Sequence, residues 1–275
     1  MIQTIIINII DITNIIIQIM TTTMDNVEIN NPKIQEVVAI VDRSGSMTGK
    51  EKDTVGGINS TFKVLKDENK NNEIIKVSVK LFDHEEIMLF KSIDLKDVKP
   101  ITTSQFVPRG QTALLDAIGN TLNHFMEKKL FNSNAYDSCV IYIATDGEEN
   151  SSKHFSAKKI KNMIEEAENN FNIRVLYLAA NQDAILEASK YGINPNQALN
   201  YSETGENVDA AFRSAASVAR RFSQDGTSQF THIERTMSQP VGDSYSSSPP
   251  NLMRQTMRHE PPRINRQRRH FSHTS

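Results

Sequence analysis

The chain has 275 residues, of which 38% are hydrophobic, and this is enough for one large globular domain with additional tails. Its formal net charge of −2 at pH 7 gives no global reason to expect nucleic acid or an acidic membrane as a partner. The only cysteine, Cys139, excludes an intramolecular disulfide and favours a reducing, cytoplasmic setting. We expect its side chain to be a small buried group at the start of a strand.

Residues 1–23 are rich in Ile with interspersed Asn, Gln and Thr, unlike the rest of the chain. A basic n-region and a small-residue cleavage site, which define a signal peptide, are missing before Met20. Polar residues also interrupt the stretch too often for a typical membrane-spanning helix. We interpret it as a dispensable low-complexity extension, with Met24 as an alternative start and a membrane anchor as the competing interpretation.

The unbroken apolar run Val37-Val38-Ala39-Ile40-Val41 predicts the first strand, at residues 34–41, buried on both faces of a parallel sheet. The run ends abruptly in Asp42, Ser44 and Ser46, and Gly45 between the two serines permits a tight turn. Three oxygen-bearing side chains can therefore converge at the carboxyl end of this strand. Such hard oxygen ligands favour Mg²⁺, Mn²⁺ or Ca²⁺ over zinc.

A helix is predicted from about residue 49 to residue 70, with Val, Ile, Phe and Leu at helical spacing on its inward face. The pair Gly56-Gly57 weakens this helix, and we expect a close approach to the sheet to compensate. Strands at 74–82 and at about 86–91 are joined by a short turn at Asp83-His84, which predicts a hairpin with an antiparallel edge strand.

Residues 92–111 predict an extended connection that delivers Thr112 to a helix over 113–129. As the N-cap of that helix, Thr112 would have a purely structural role. Its occurrence together with the other oxygen-bearing elements favours a Thr that faces a metal. A second buried strand, at 138–145, ends in Asp146.

The remaining elements alternate: helix 155–169, strand 173–179, helix 182–191, strand 197–201 and helix 206–222. This alternation predicts an α/β fold with a doubly wound, mostly parallel sheet, one antiparallel edge strand and helices on both faces. If the strand order is 3-2-1-4-5-6, the strands before Asp42 and Asp146 are neighbours at the point where the order reverses, which is where such sheets bind ligands.

From Ser223 to residue 275 the chain is rich in Ser, Pro, Gln and Arg, and we predict that it is disordered. This tail contains a basic cluster of four residues: Arg263, Arg266, Arg268 and Arg269. A solvated tail is the simplest interpretation, and a weak contact with phosphate, RNA or an acidic partner is the alternative. The predicted organisation is thus an extension at 1–23, a domain at 24–222 and a tail at 223–275.

Three ordered segments of this sequence resemble the von Willebrand factor A domain. Asp42-x-Ser44-x-Ser46 is similar to the Asp-x-Ser-x-Ser signature of its metal-ion-dependent adhesion site, segment 110–117 is similar to the Thr-bearing segment, and segment 141–147 is similar to the strand that ends in Asp. The resemblance covers roughly residues 34 to 222 and is closest to stand-alone A domains of bacteria, phages and viruses. It implies a Rossmann-like fold and a metal site made by Asp42, Ser44, Ser46, Thr112 and Asp146.

The same resemblance implies a binding module without catalysis, in which Mg²⁺ (or Mn²⁺ or Ca²⁺) is completed by an Asp or Glu of a partner protein. A metal-dependent hydrolase or phosphotransferase, and a scaffold with a structural metal, stay open as alternatives. A phosphate-binding loop is not supported, because Glu51 follows Lys50 where Ser or Thr is required. We expect Arg43 to point outward and Glu148 and Glu149 either to rim the site or to lead into a helix. His84, His124 and His154 show no paired spacing with Cys or carboxylates that would indicate zinc, and we assign them no role.

Overall fold

The structure, a computed structural model, describes residues 32–71, 73–180 and 183–239 together with Gln18. The interpretation of residues 1–23 as an extension or an anchor therefore falls outside the described residues, apart from Gln18, and stays a prediction. No helix within the described part of the chain is both long enough and apolar enough to cross a membrane.

A single six-stranded sheet forms the centre of the domain, in the order β3-β2-β1-β4-β5-β6. All neighbouring strands are parallel except β2 and β3, which form the predicted antiparallel hairpin at the edge. The predicted fold class is confirmed, and the strand order is the one on which we made the position of the site conditional. The strands are β1 Ile34–Asp42, β2 Ile74–Phe82, β3 Glu86–Asp94, β4 Ser138–Thr145, β5 Ile173–Ala180 and β6 Ala198–Tyr201.

Helices cover both faces of this sheet and divide the core into two layers. One layer is made by α1 and α5, and the other by α2, α3 and α4. Cys139 lies at the start of β4 and is fully buried, as predicted. The helices are α1 Glu51–Asp67, α2 Leu114–Phe131, α3 Ala157–Asn170, α4 Ala184–Lys190, α5 Gly205–Asp225 and α6 His232–Met237.

The two glycines of α1 face in different directions. A Cβ atom built on Gly57 would lie 2.7 Å from Cδ2 of Phe212 in α5, whereas one built on Gly56 would meet nothing within 4 Å. The close approach that compensates for Gly57 is therefore to a neighbouring helix. Our prediction that it would be to the sheet was wrong, because α5 packs over α1 on the same face.

The ordered domain extends beyond the predicted boundary at residue 222. Helix α5 continues to Asp225, and Gly226 then ends it in a left-handed conformation with φ of 82°. Phe230 is buried, and its N–H donates to the carbonyl of Asn196 at 2.9 Å. The predicted disorder is thus wrong for residues 223–239, because one aromatic side chain anchors a segment of otherwise polar composition. Residues 240–275, with the four arginines of the basic cluster, lie outside the described residues.

Candidate metal site

Asp42 is the last residue of β1 and is completely buried. Its Oδ1 accepts a hydrogen bond from the backbone N–H of Ser44 at 2.6 Å, and its Oδ2 accepts one from the hydroxyl of Thr145 at 2.7 Å. Burial raises the pKa of Asp42 to about 6, although the hydrogen bonds from Thr145 and Ser44 partly oppose this and nearby Asp146 adds to it. Two hydrogen bonds therefore hold a carboxylate whose charge is costly at this position.

The hydroxyls of the loop after β1 connect Asp42 to Asp146. A single 3₁₀ turn at Gly45–Met47 follows the strand, and the buried side chain of Met47 anchors it. Ser44 occupies the N-cap position of this turn, and its Oγ lies 3.0 Å from the Oγ of Ser46, which in turn donates to Asp146 Oδ1 at 2.6 Å. Ser44, Ser46 and Asp146 thus form one chain of hydrogen-bonded oxygens across the ends of β1 and β4.

Thr112 joins this group beside Gly147, where the fit is tight. A Cβ atom built on Gly147 would lie 3.0 Å from Thr112 Oγ1, 3.3 Å from Asp42 Oδ2 and 3.5 Å from Ser44 Oγ. Oxygens from two separate segments, the end of β1 and the loop that carries Thr112, therefore lie around the same small space beside Gly147. The structure brings all five predicted residues together, and a set of two carboxylates and three hydroxyls suits a hard divalent cation.

Thr112 is not the N-cap of α2, because Ala113 occupies that position. Asn150 holds Thr112 instead: its Oδ1 accepts from the N–H of Thr112 at 2.9 Å, and its own N–H donates to the carbonyl of Thr112 at 3.1 Å. The carboxylate of Glu149 accepts from the N–H of Leu115 at 2.9 Å in the first turn of α2. Glu149 therefore supports the N-terminus of α2. Because Thr112 does not cap that helix, its hydroxyl is directed to the candidate site.

Asp116, one turn into α2, fixes the segment that follows Asn150. Its two carboxylate oxygens accept hydrogen bonds from the backbone N–H groups of Lys153, His154 and Phe155, at 2.8 to 3.0 Å. Burial alone would raise the pKa of Asp116, but these donors outweigh burial and lower it. The loop between β4 and α3 is therefore tied to the start of α2, so Asn150 and Gly147 are held against Thr112.

A second buried carboxylate, Asp83, connects the loop after β1 to the loop that carries Thr112. Its Oδ2 lies 2.9 Å from a guanidinium nitrogen of Arg43 and 3.1 Å from Nε of Arg109. The N–H of Arg109 also donates to the carbonyl of Arg43 at 2.8 Å. Arg43 is thus buried, and our prediction that it would point outward was wrong, because an unexpected partner at the end of β2 neutralises its charge.

Ligand atoms of Asp83, His84 and Glu85 lie within 4.8 Å of one another, a geometry that could accommodate a metal ion. Two of these groups, however, already form ion pairs with arginines, Asp83 with Arg43 and Arg109, and Glu85 with Arg109. We assign this cluster a structural role, since its negative charge is compensated.

No protein-family model and no curated protein matches the chain. Among solved structures, a von Willebrand factor type A structure from Catenulispora acidiphila aligns with a TM-score of 0.51 at 13% sequence identity, over 69% of this chain and 43% of that one. The chain has a von Willebrand factor A fold.

Two further structures are similar to this A-type fold. The pilus adhesin SpaC from Lactobacillus rhamnosus GG, in an open conformation, aligns with a TM-score of 0.52 and 12% identity, over 70% of this chain and 30% of that one. Proximal thread matrix protein 1 from the mussel byssus aligns with a TM-score of 0.50 and 14% identity, over 68% of this chain and 46% of that one. The chain spans less than half the length of each of these three structures, and the likeness concerns the fold.

Lys50 is a feature of this candidate site that sequence reasoning missed. Its ammonium group forms ion pairs with Asp146 Oδ2 and with Glu203, which lies between β6 and α5. Burial alone would lower the pKa of Lys50, but the hydrogen bonds with Asp146 and Glu203 outweigh it and raise the pKa. One signal was present, a lysine four residues after Ser46, but nothing in the spacing indicated that Glu203 would contact it.

Proposed function

We propose that the chain is a metal-dependent protein-binding module. In this proposal Mg²⁺, Mn²⁺ or Ca²⁺ is held by Asp42, Ser44, Ser46, Thr112 and Asp146, either directly or through water. The observation that carries it is the convergence of Thr112 Oγ1, Asp42 Oδ2 and Ser44 Oγ on the space beside Gly147. When bound, the cation supplies a coordination position that a carboxylate of a partner protein can occupy.

The division of charge among these residues supports binding to an acidic group. Three of the five are neutral hydroxyls, and the two carboxylates, Asp42 and Asp146, already accept hydrogen bonds within the protein. The formal charge of the two carboxylates equals that of a divalent cation, but hydrogen bonds from the protein already draw on that charge, and the five side chains leave at least one position of a six-coordinate Mg²⁺ shell open. An Asp or Glu side chain offered by a partner would complete it, and adhesion by the similar pilus protein SpaC agrees with such a role.

A hydrolase or phosphotransferase that uses Asp42 as the nucleophile is less well supported. Both oxygens of Asp42 accept hydrogen bonds, and the side chain is completely buried. A nucleophilic carboxylate needs an oxygen that is free to reach the substrate. Turnover of a model phosphoester by the protein, and its loss in Asp42→Ala, would overturn the binding-module proposal.

The metal site is tested by calorimetric titration of the full chain with MgCl₂ and with MnCl₂. We expect binding by the wild type and at least a tenfold loss of affinity in Asp42→Ala and Asp146→Ala. Gly147→Ala should lose affinity equally, because its new methyl group occupies the space between the three oxygens. Asp97→Ala, which removes an exposed carboxylate elsewhere, is the matched control and should bind as the wild type does. Equal affinities in all five proteins would rule out this site.

The carboxylate-binding step is tested with acetate as the probe. Mn²⁺ shortens the relaxation time of protons on molecules that coordinate it, so the methyl signal of acetate should broaden in the presence of the Mn²⁺-loaded protein. Acetamide, which has the same shape and no charge, should broaden much less. Equal broadening of the two would contradict recognition of an acidic group while leaving metal binding intact.

A further inference from the structure

Lys50 lies against a residue of the proposed metal site in a fixed position. It immediately precedes α1, and its N–H donates to the carbonyl of Met47 at 3.1 Å, so its backbone belongs to the loop that carries Ser44 and Ser46. Its side chain is 27% exposed, whereas the side chain of Asp146 is only 3% exposed. The ion pair is thus sheltered from solvent on the carboxylate side, where screening is weaker than at an open surface.

Both oxygens of Asp146 are engaged in this arrangement. Oδ1 accepts from the hydroxyl of Ser46, and Oδ2 pairs with the ammonium group of Lys50. The ammonium group therefore pairs with the carboxylate of Asp146, which the proposed function assigns as a ligand of the divalent cation. Glu203 contacts the same ammonium group and gives Lys50 a second partner.

We propose that Lys50 is an internal counter-ion that competes with the divalent cation for Asp146 and thereby weakens the metal affinity of the site. This inference rests on the proposed function. In the metal-free protein Lys50 neutralises Asp146. In the metal-bound protein Lys50 keeps its partner Glu203, so the ammonium group need not be left unpaired when Asp146 turns to the metal.

Charge repulsion sets the expected size of the effect. A positive side chain that contacts a ligand of a divalent ion, in partly buried surroundings, changes the binding constant for that ion by roughly tenfold or more. A structural role for Lys50 would act in the opposite direction, because a disordered loop holds its ligands less well. The direction of the change in affinity therefore separates the two explanations.

The test is calorimetric titration of the full-length Lys50→Met variant with MnCl₂ and MgCl₂ beside the wild type. Met keeps the length of the side chain and removes its charge, and we expect about tenfold tighter binding. Lys50→Arg, which keeps the charge, should bind as the wild type does. Lys52→Met is the matched control: it removes an exposed lysine in the first turn of α1, and its affinity should stay within about twofold of the wild type.

A thermal readout complements the titration. Without Lys50 the carboxylates of Asp146 and Glu203 lose their shared cation, so the metal-free Lys50→Met protein should melt at a lower temperature than the wild type. Added Mn²⁺ should then raise its melting temperature by more than it raises that of the wild type or of Lys52→Met.

The outcomes distinguish this inference from the function on which it rests. If the wild type binds metal, Asp42→Ala does not, and Lys50→Met binds with unchanged or weaker affinity, then competition by Lys50 is wrong and the metal site stands. If neither the wild type nor Lys50→Met binds either metal, the proposed function fails and this inference fails with it. Binding by Lys50→Met alone would support the competition most directly.

Discussion

Asp42 shows how one residue can favour binding at the expense of stability. Its carboxylate is fully buried at the end of β1, and its pKa of about 6 means that the folded protein resists its ionisation. The shift from the ordinary value of 3.8 corresponds to about 3 kcal/mol in favour of the neutral form. Near neutral pH the metal-free domain therefore carries a charge that a bound cation would compensate.

We expect Asp42→Asn to stabilise the metal-free protein at pH 7.5 by about 2 kcal/mol and to abolish metal binding. The amide oxygen can accept from Ser44, and the hydroxyl of Thr145 can rotate to accept from the amide nitrogen. Urea denaturation in the presence of a chelator measures the free energy of unfolding. Asp97→Asn is the control. An Asp42→Asn protein less stable than the wild type would contradict the prediction.

The same substitution predicts a pH dependence. Because the pKa of Asp42 is raised in the folded state, the wild type loses stability from this group as the pH rises from about 4 to about 6, and the loss is complete above that range. The advantage of Asp42→Asn should therefore be present at pH 7.5 and should disappear at pH 4. An advantage that is constant with pH would mean that it does not arise from the charge.

At the scale of elements, the packing of α1 against α5 depends on the absence of one side chain. Gly57 is buried against the ring of Phe212, and that ring is in turn fixed edge-on against Tyr142 of β4, with ring centroids 5.9 Å apart. Gly56, the preceding residue in the same helix, is exposed. The two glycines therefore have the same intrinsic helix propensity but opposite packing environments.

Alanine substitutions should separate these two contributions. Gly56→Ala should stabilise the domain by about 0.5–1 kcal/mol, because alanine favours the helix and the new methyl group meets nothing. Gly57→Ala should destabilise it by about 1–3 kcal/mol, because its methyl group collides with the buried ring of Phe212. Urea denaturation of both variants measures the difference, and equal effects would show that α5 can move away at little cost.

Sequence reasoning succeeded where one segment carries the whole pattern. The apolar runs before Asp42 and Asp146 predicted both strands, and the alternation of elements predicted a mostly parallel sheet. It failed where a residue's role depends on a partner from a distant segment. Arg43 was misjudged because Asp83 is brought to it by the pairing of β1 with β2, and Lys50 was missed because Glu203 approaches only once β6 and α5 are in place.

At the scale of the whole molecule, the ordered domain continues past α5, the last helix of the alternating strands and helices. After α5 the segment 226–239 returns to the edge of the sheet, where Phe230 is buried and the N–H of Ser202 donates to the carbonyl of Ser238 at 3.0 Å. Arg221 of α5 also pairs with Glu234 of α6 at 2.9 Å. Composition did not reveal this, because a single buried aromatic residue hardly changes the average polarity of a segment.

Two truncations test the contribution of this segment. A chain that ends at Gln239 should unfold at the same temperature as the full chain, since the described contacts of segment 226–239 are retained. A chain that ends at Asp225 should be less stable by about 2–4 kcal/mol, because it loses the burial of Phe230 and the hydrogen bonds around it. Thermal denaturation compares them. If the chain that ends at Asp225 is as stable as the full chain, the domain boundary lies at the end of α5.

The hydrogen bond from Thr145 to Asp42 joins residues that are 103 positions apart in the chain. During synthesis β1 is made early, but its neighbour β4 is completed only after β2, β3 and α2 have been made. A contact of such long range forms slowly, because a large loop must close before β1 and β4 can pair. The proposed site would therefore be absent from nascent chains and partly folded intermediates, so that binding of the metal would mark chains in which the two halves of the sheet have already joined.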